Sequence, residues 1–238
     1  MARVDPDDSN IELKFKYRRF AIGDVHGCSK TLRRMVEDVL RLKLKDTLYL
    51  LGDYIDRGPD SVGVLNYLLH LRDSGFDICP IKGNHEELLL NAVANPAARD
   101  LWFGNGGWGT LRELKIDSPE AIPQCYLDFM AHMPYFLTTE GYVLVHAGLD
   151  FNSQDPLRDT PSQYMLWSRD CKVDPTKIDN LTLITGHTVT PLFAINESLA
   201  SSHITLDNGC YDKGELNCGS LVALDLDTRE LLVQKNID

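Results

Sequence analysis

The chain has 238 residues, 43% of them apolar, enough to bury a substantial core in one domain. Its formal net charge of −11 argues against nucleic acid or an anionic membrane surface as partner, because both require a basic face. No apolar run reaches the roughly 18 residues of a membrane span, and the opening Met1-Ala2-Arg3-Val4-Asp5-Pro6 lacks the apolar core of a signal peptide, so a cytoplasmic protein is expected by default.

Residues 1–17 are polar and acidic and read as a loosely held tail ahead of a single domain over 18–238. Phe20–Ile22 reads as a buried strand. Leu32, Met35, Val36, Val39 and Leu40 then recur at the spacing of a helix laid on a sheet. A second apolar run, Leu48–Leu51, is followed by a helix start at Pro59-Asp60-Ser61, with Val62, Leu65, Leu68 and Leu69 on one face. Ile78–Ile81 reads as the third strand. From about 86 to 133 the chain reads as a helical insertion, broken at Gly104-Asn105-Gly106-Gly107. Tyr142–Val145 and Leu181–Thr185 are further short strands. Val222, Leu224 and Leu226 alternate, a polar turn follows at Asp227-Thr228-Arg229, and Leu231–Val233 returns, which predicts a hairpin.

Each of the first three strands runs into a string rich in metal-ligating side chains. These are Gly23-Asp24-Val25-His26-Gly27, Gly52-Asp53-Tyr54-Ile55-Asp56-Arg57-Gly58 and Gly83-Asn84-His85-Glu86. Successive strings lie roughly 30 residues apart, the length of one strand–helix–strand unit, which sets all three at the same end of neighbouring parallel strands. Asp24, His26, Asp53, Asn84 and His85 then converge on one crevice. Oxygen and imidazole donors without sulfur suit Mn, Mg, Fe or Zn rather than copper(I) or an iron–sulfur cluster. Five donors are too many for one ion that must keep an open position. Two ions about 3.5–4 Å apart can share them, with Asp53 of the middle string as the natural bridge. Two later strands also end on His beside Gly, at His146-Ala147-Gly148 and Gly186-His187-Thr188. Taken singly, such a His is an ordinary hydrogen-bonded loop residue; in this company each is a ligand candidate.

The order of these strings, with Asn105-Gly106-Gly107 and Leu166-Trp167-Ser168-Arg169 further on, resembles the phosphoprotein phosphatase branch of the calcineurin-like metallophosphoesterases. Within that branch the likeness is to the short bacterial and phage-type Ser/Thr protein phosphatases, from about Phe20 onward. The resemblance implies an α/β fold of two mixed β-sheets packed as a sandwich and flanked by helices. It makes Asp24, His26 and Asp53 the ligands of one divalent ion and Asp53, Asn84, His146 and His187 those of a second, with Mn preferred over Fe, Zn or Mg. It assigns His85 as general acid, oriented by Asp56, and sets Arg57, Arg169 and Asn84 on the substrate phosphate. A water held by both ions attacks phosphorus directly, so no phosphoenzyme and no Ser or Cys nucleophile is implied. The residue chemistry agrees: guanidinium groups grip a phosphate dianion with paired hydrogen bonds, and a His beside a carboxylate is suited to protonate a leaving alkoxide.

The implied function is metal-dependent hydrolysis of a phosphoprotein or small phosphoester, with Ser/Thr protein phosphatase as the first reading. The alternative is a symmetrical bis(5'-nucleosyl)-tetraphosphatase, a cousin with the same metal core. Those cousins tend to show Ala-Arg-Gly and Gly-Asn-His-Asp, where this chain has Asp56-Arg57-Gly58 and Glu86, which tilts the reading toward the phosphatase. A catalytically dead phosphoprotein-binding module is a third class, disfavoured because no ligand and not His85 has been lost. Many relatives carry Arg where this chain has Lys82, which keeps the charge without the planar fork. Leu206-Asp207-Asn208-Gly209-Cys210 departs modestly from the Asp-Thr-Gly of relatives. Six cysteines (28, 79, 125, 171, 210 and 218) show no Cys-x-x-Cys spacing and read as packed or surface thiols, Cys28 lying nearest the first motif. The loop from Trp102 to Trp108 reads either as an aromatic anchor between helices or as a wall over the crevice.

Overall fold

The computed structural model describes residues 17–170, 172–214 and 217–238. The expected tail therefore lies outside the described residues apart from Tyr17, and Cys171 lies outside them too. In chain order, β1 (Arg19–Ile22) leads into α1 (Ser29–Arg34), which continues as a π-helical turn over Met35–Val39. Next come β2 (Thr47–Leu50), α2 (Ser61–Asp73), β3 (Asp77–Pro80) and α3 (Asn84–Ala94). The helical stretch adds α4 (Arg99–Trp102), a π-helical turn over Phe103–Gly107, α5 (Trp108–Leu114) and α6 (Gln124–Ala131). After β4 (Phe136–Thr139) and β5 (Tyr142–Val145) lie the short helices α7 (Pro156–Asp159) and α8 (Ser162–Trp167). The chain closes with β6 (Thr182–Thr185), α9 (Leu192–Ser198), β7 (His203–Thr205) and the hairpin β8 (Ser220–Asp225) and β9 (Leu231–Lys235). Among the described residues no helix is long and apolar enough to cross a membrane.

Two mixed sheets result. One has the order β3-β2-β1-β8-β9, with β1, β2 and β3 parallel and the C-terminal hairpin antiparallel to β1. The other has the order β4-β5-β6-β7, with β5, β6 and β7 parallel and β4 antiparallel at the edge. Side-chain alternation sorts each strand between two layers. Ala21, Val222 and Leu224 meet Tyr142, Leu144, Ile184 and Ile204 in a core between the sheets. Phe20, Ile22, Leu48, Leu50, Leu221 and Ala223 face the opposite way, under the helices that supply Leu32, Met35, Leu65, Leu68 and Leu89. Val143, Val145 and Leu183 look out from the second sheet onto Leu149, Phe151 and Met165. The two edge strands β4 and β7 were not anticipated from the sequence.

The parallel strands all deliver their loops to one end of the sandwich, where ligands of such sheets belong. Backbone hydrogen bonds lace those loops together. His26 N donates to Asp53 O at 2.8 Å, Gly27 N to Tyr54 O at 2.9 Å, and Gly186 N to His146 O at 2.8 Å. The loop after β3 fits against the loop after β2 so closely that only glycine serves at position 83: a Cβ there would lie 2.2 Å from Asp53 Oδ1 and 2.3 Å from Asp53 N. Gly83→Ala is therefore expected to destabilise the fold by about 1–3 kcal/mol and to lower divalent-metal uptake with it. Urea unfolding and metal analysis of the purified variant check this; an unchanged midpoint with full metal uptake contradicts it.

Candidate metal centre

The side chains converging on this end are nearly all buried. His26, His85 and His146 are fully enclosed, and Asp24, Asp53 and Asn84 are 2% exposed. Their backbones are unusual as well. His26, Asp53, Asp56, Arg57 and His187 all adopt positive φ, between 43° and 67°, a region that side-chain-bearing residues rarely visit. The interlocking loops hold them there.

On one side of Asp53 stand His26 and His85. His26 Nε2 lies 3.4 Å from Asp53 Oδ2 and His85 Nε2 lies 3.9 Å from it. His26 donates Nδ1–H to the Ile55 carbonyl at 3.0 Å, which leaves the Nε2 lone pair facing inward. Arg57 reaches that nitrogen at 3.0 Å. His85 is fixed by Asp56, whose Oδ2 is 2.8 Å from its Nδ1. Asp56 is fixed in turn by Trp102 Nε1 at 2.9 Å and by the Thr110 hydroxyl at 2.6 Å.

On the other side stand Asn84, His146 and His187. His146 donates Nδ1–H to the Leu51 carbonyl at 2.8 Å, so its Nε2 is a lone pair, yet Asn84 Oδ1 sits 2.8 Å from it and Asp53 Oδ1 3.5 Å from it. Asn84 Oδ1 is also 3.0 Å from His187 Nδ1. At His146 Nε2 and Asn84 Oδ1 an acceptor is aimed at an acceptor with no donor between, which is what a cation site looks like. His85 Nε2 and His187 Nε2 add to this, being buried with no hydrogen-bond partner among the described residues. Two groups of donor atoms lie within 4.8 Å of one another, Asp53 with His26 and His85, and Asp53 with His146 and His187, so Asp53 belongs to both. Asp24 stands just outside them, its carboxylate accepting from His187 N at 3.0 and 3.2 Å. The donors present fit two divalent ions.

Electrostatics agree. Burial, with the charges of Asp207 and Asp53 beside it, pushes the Asp24 carboxyl well above the ordinary range. Burial likewise raises Asp207 to about 6 and Glu86 to about 7. Burial holds His26 and His146 below the usual imidazole range, so both stay neutral. His85 moves the other way: burial opposes its charge, but Asp53 and the hydrogen bond His85 donates to Asp56 win and raise it. Despite its burial, Asp53 is held below the ordinary carboxylate range by the His146, His85 and His26 imidazoles, whereas Asp24 and Asp207 remain undercompensated, a deficit that divalent ions would make up.

The structure brings together every residue the sequence proposed for the metals, and His85 with Asp56. Arg57 is exposed at the rim, packed over the Tyr211 ring at 5.0 Å. Arg169 is exposed too, near enough for its charge to act on His187 and Asp207. Lys82 is turned elsewhere: its ammonium pairs with Glu87 at 3.3 Å and lies 4.9 Å over the Tyr135 ring. Cys28 packs, with its thiol 3.3 Å from the Asn236 amide. Four residues support the site in roles that the sequence did not assign to them. Glu86 accepts from Asp53 N, Tyr54 N and Gly83 N at 2.8–2.9 Å and so fastens two loops. Trp102 and Thr110 hold Asp56, and Tyr211 meets His26 edge-on at 5.0 Å. Only Glu86 had a local signal, as the third residue of a helix start.

A family model for calcineurin-like phosphoesterases matches residues 17–221, and the chain belongs to that family. Within it the likeness to Serine/threonine-protein phosphatase 1 of Salmonella typhimurium supports the phosphoprotein phosphatase branch: 30% identity over 176 residues, 71% of this chain and 77% of that one. The symmetrical bis(5'-nucleosyl)-tetraphosphatase of Dechloromonas aromatica is 35% identical over 130 residues, 55% of this chain. The matched segment spans 43% of that relative's length. Among solved structures, a protein provisionally described as a diadenosine tetraphosphatase has the same fold, with a TM-score of 0.66 at 20% identity over 92% of this chain and 94% of that one.

The raised Asp207 carboxyl has a consequence for stability. Its folded value of about 6 exceeds the ordinary 3.8, so the folded chain keeps that proton longer than the unfolded chain, and stability from this group falls as pH rises from 3.8 through about 6. Chelated wild-type protein should lose Tm across that window more steeply than chelated Asp207→Asn, and Mn²⁺ should narrow the difference. Parallel Tm profiles for the two chelated proteins would show that Asp207 does not share this crowding.

Proposed function

We propose that this chain hydrolyses phosphoesters or phosphoanhydrides at the centre built on Asp53, with His85 protonating the leaving oxygen. The observation that carries this is the His85–Asp56 pair. Its Nδ1 is held by a buried carboxylate at 2.8 Å while its Nε2, buried and without a partner, looks into the cluster of metal donors. Asp24, His26, Asp53, Asn84, His146 and His187 would hold two divalent ions, which supply Lewis-acid activation of water and of the phosphoryl group. Arg57 and Arg169 grip the nonbridging oxygens from the rim, offsetting the repulsion of a chain with net charge −11. His85, positioned by Asp56, gives its Nε2 proton to the departing oxygen.

For substrate, a symmetrical dinucleoside tetraphosphate comes ahead of the phosphoprotein expected from the motifs, supported by relatives 35% and 36% identical over 55% of this chain that are named symmetrical bis(5'-nucleosyl)-tetraphosphatases. A phosphoserine or phosphothreonine protein is the second reading. Two observations favour it: the Salmonella phosphatase is matched over 77% of its length, and Asp56 and Glu86 are both bonded into the site. A panel of diadenosine tetraphosphate, phosphopeptides and p-nitrophenyl phosphate under Mn²⁺ separates them. The first reading expects kcat/KM on the tetraphosphate at least tenfold above that on any phosphopeptide, and the opposite ranking rejects it. On whichever substrate is cleaved, His85→Asn is expected to cut kcat by roughly 10²–10⁴-fold when the leaving group is a poor one, with a smaller loss on the aryl phosphate. Metal content should remain at the wild-type level. An equal loss on both substrate types assigns His85 to positioning instead.

A further inference from the structure

Three aromatic rings lead from the buried Asp56–His85 pair out to solvent. Trp102 is fully buried and donates to Asp56. Phe103 lies beside it, centroids 5.6 Å apart, and Trp108 stacks on Phe103 at 4.0 Å and 22°. Trp108 is 52% exposed. The turn between these rings lies directly on the residue that carries a proposed phosphate-gripping guanidinium. Gly106 adopts φ 114°, and a Cβ there would stand 3.1 Å from Arg57 N and 3.3 Å from Asp56 Cβ. Trp108 is two residues further on, within about 7 Å of chain.

A half-exposed indole held by a stacked partner beside a phosphate grip has a chemistry of its own. It offers a flat π-face whose orientation is already set, and any nucleobase has the matching face. The neighbouring turn supplies the register, because Gly106 fixes where the ring sits relative to Arg57. We propose that Trp108, backed by Phe103, is the stacking platform for the nucleobase adjoining the phosphate held by Arg57. The inference rests on the tetraphosphate reading above, and it makes Trp108 a specificity-determining residue.

The test uses competitive inhibition of the Mn²⁺-loaded full chain, followed with p-nitrophenyl phosphate, so that it does not depend on tetraphosphate cleavage. The inhibitors are ADP, which carries a base, and orthophosphate, which does not. Wild-type protein should bind ADP more tightly than orthophosphate. In Trp108→Ala the ADP Ki should rise about tenfold and the orthophosphate Ki by less than twofold, while Trp108→Phe should recover most of the loss. Circular dichroism and metal content confirm that the variants are folded and loaded. Equal Ki values for ADP in wild type and Trp108→Ala overturn the proposal. So does a parallel rise for orthophosphate, which would trace the effect to Arg57, or wild-type protein with no preference for ADP. Failure of the tetraphosphate reading shows separately, as a lack of tetraphosphate hydrolysis in the substrate panel.

Discussion

Buried acceptors that face one another with no donor between them are the constraint on which the site end of this molecule depends. Asp53 lies 3.5 Å from the lone pair of His146, Asn84 lies 2.8 Å from the same nitrogen, and the charges of Asp207 and Asp53 raise the proton affinity of the buried Asp24. Left uncompensated, such a cluster would resist burial strongly. The fold commits much of its architecture to holding it together nonetheless. Five residues of the cluster and its rim take positive φ, three carbonyl-anchored or carboxylate-anchored imidazoles are locked in orientation, and Glu86 spends its carboxylate on three backbone N–H groups. Strain and crowding concentrated at one end of an otherwise regular sandwich mark it as the functional end.

The same constraint bears on how an acidic chain would accept the proposed anionic substrate. With net charge −11 the protein repels phosphate at long range, so attraction must be local. The residues at the rim are suited to that: Arg57 stands over the Tyr211 ring, and Arg169 is exposed where its charge still acts on His187 and Asp207. The inner residues are imidazoles, amides and carboxylates, and among those imidazoles His85 has its proton affinity raised while burial lowers that of His26, His146 and His187. Positive charge would enter the centre with two divalent ions, for which the protein supplies the mould. Trp108 would extend the same site outward from charge recognition to shape recognition of a base.

Most of the centre was legible because its grammar is local. A short apolar strand followed at once by Gly-Asp or Gly-Asn, repeated at the length of one strand–helix–strand unit, leaves little freedom in where those side chains go. Asp24, Asp53 and Asn84 were readable for that reason, and β1, β2 and β3 proved parallel neighbours. His146 and His187 followed from the same rule at β5 and β6. The elements that escaped had no such grammar. His203–Thr205 is only three residues long between serines and loop, and Phe136–Thr139 follows directly on a helical stretch, so neither shows a period. The supporting residues escaped because their roles exist only in three dimensions: Trp102 and Thr110 reach Asp56 across 46 and 54 positions of sequence, and Tyr211 reaches Arg57 across 154. Lys82 shows the converse, a charge beside a metal motif that the fold spends on Glu87 and Tyr135.

The central claim is that Asp53 joins two cation sites into one centre. Titrating the metal-free chain with Mn²⁺ while recording electron paramagnetic resonance tests it most directly. At two equivalents the wild-type protein should give the spectrum of an exchange-coupled pair, and Asp53→Asn should give isolated ions or weaker uptake. Saturation of the wild-type protein at a single ion, or two ions with no coupling, would contradict the account.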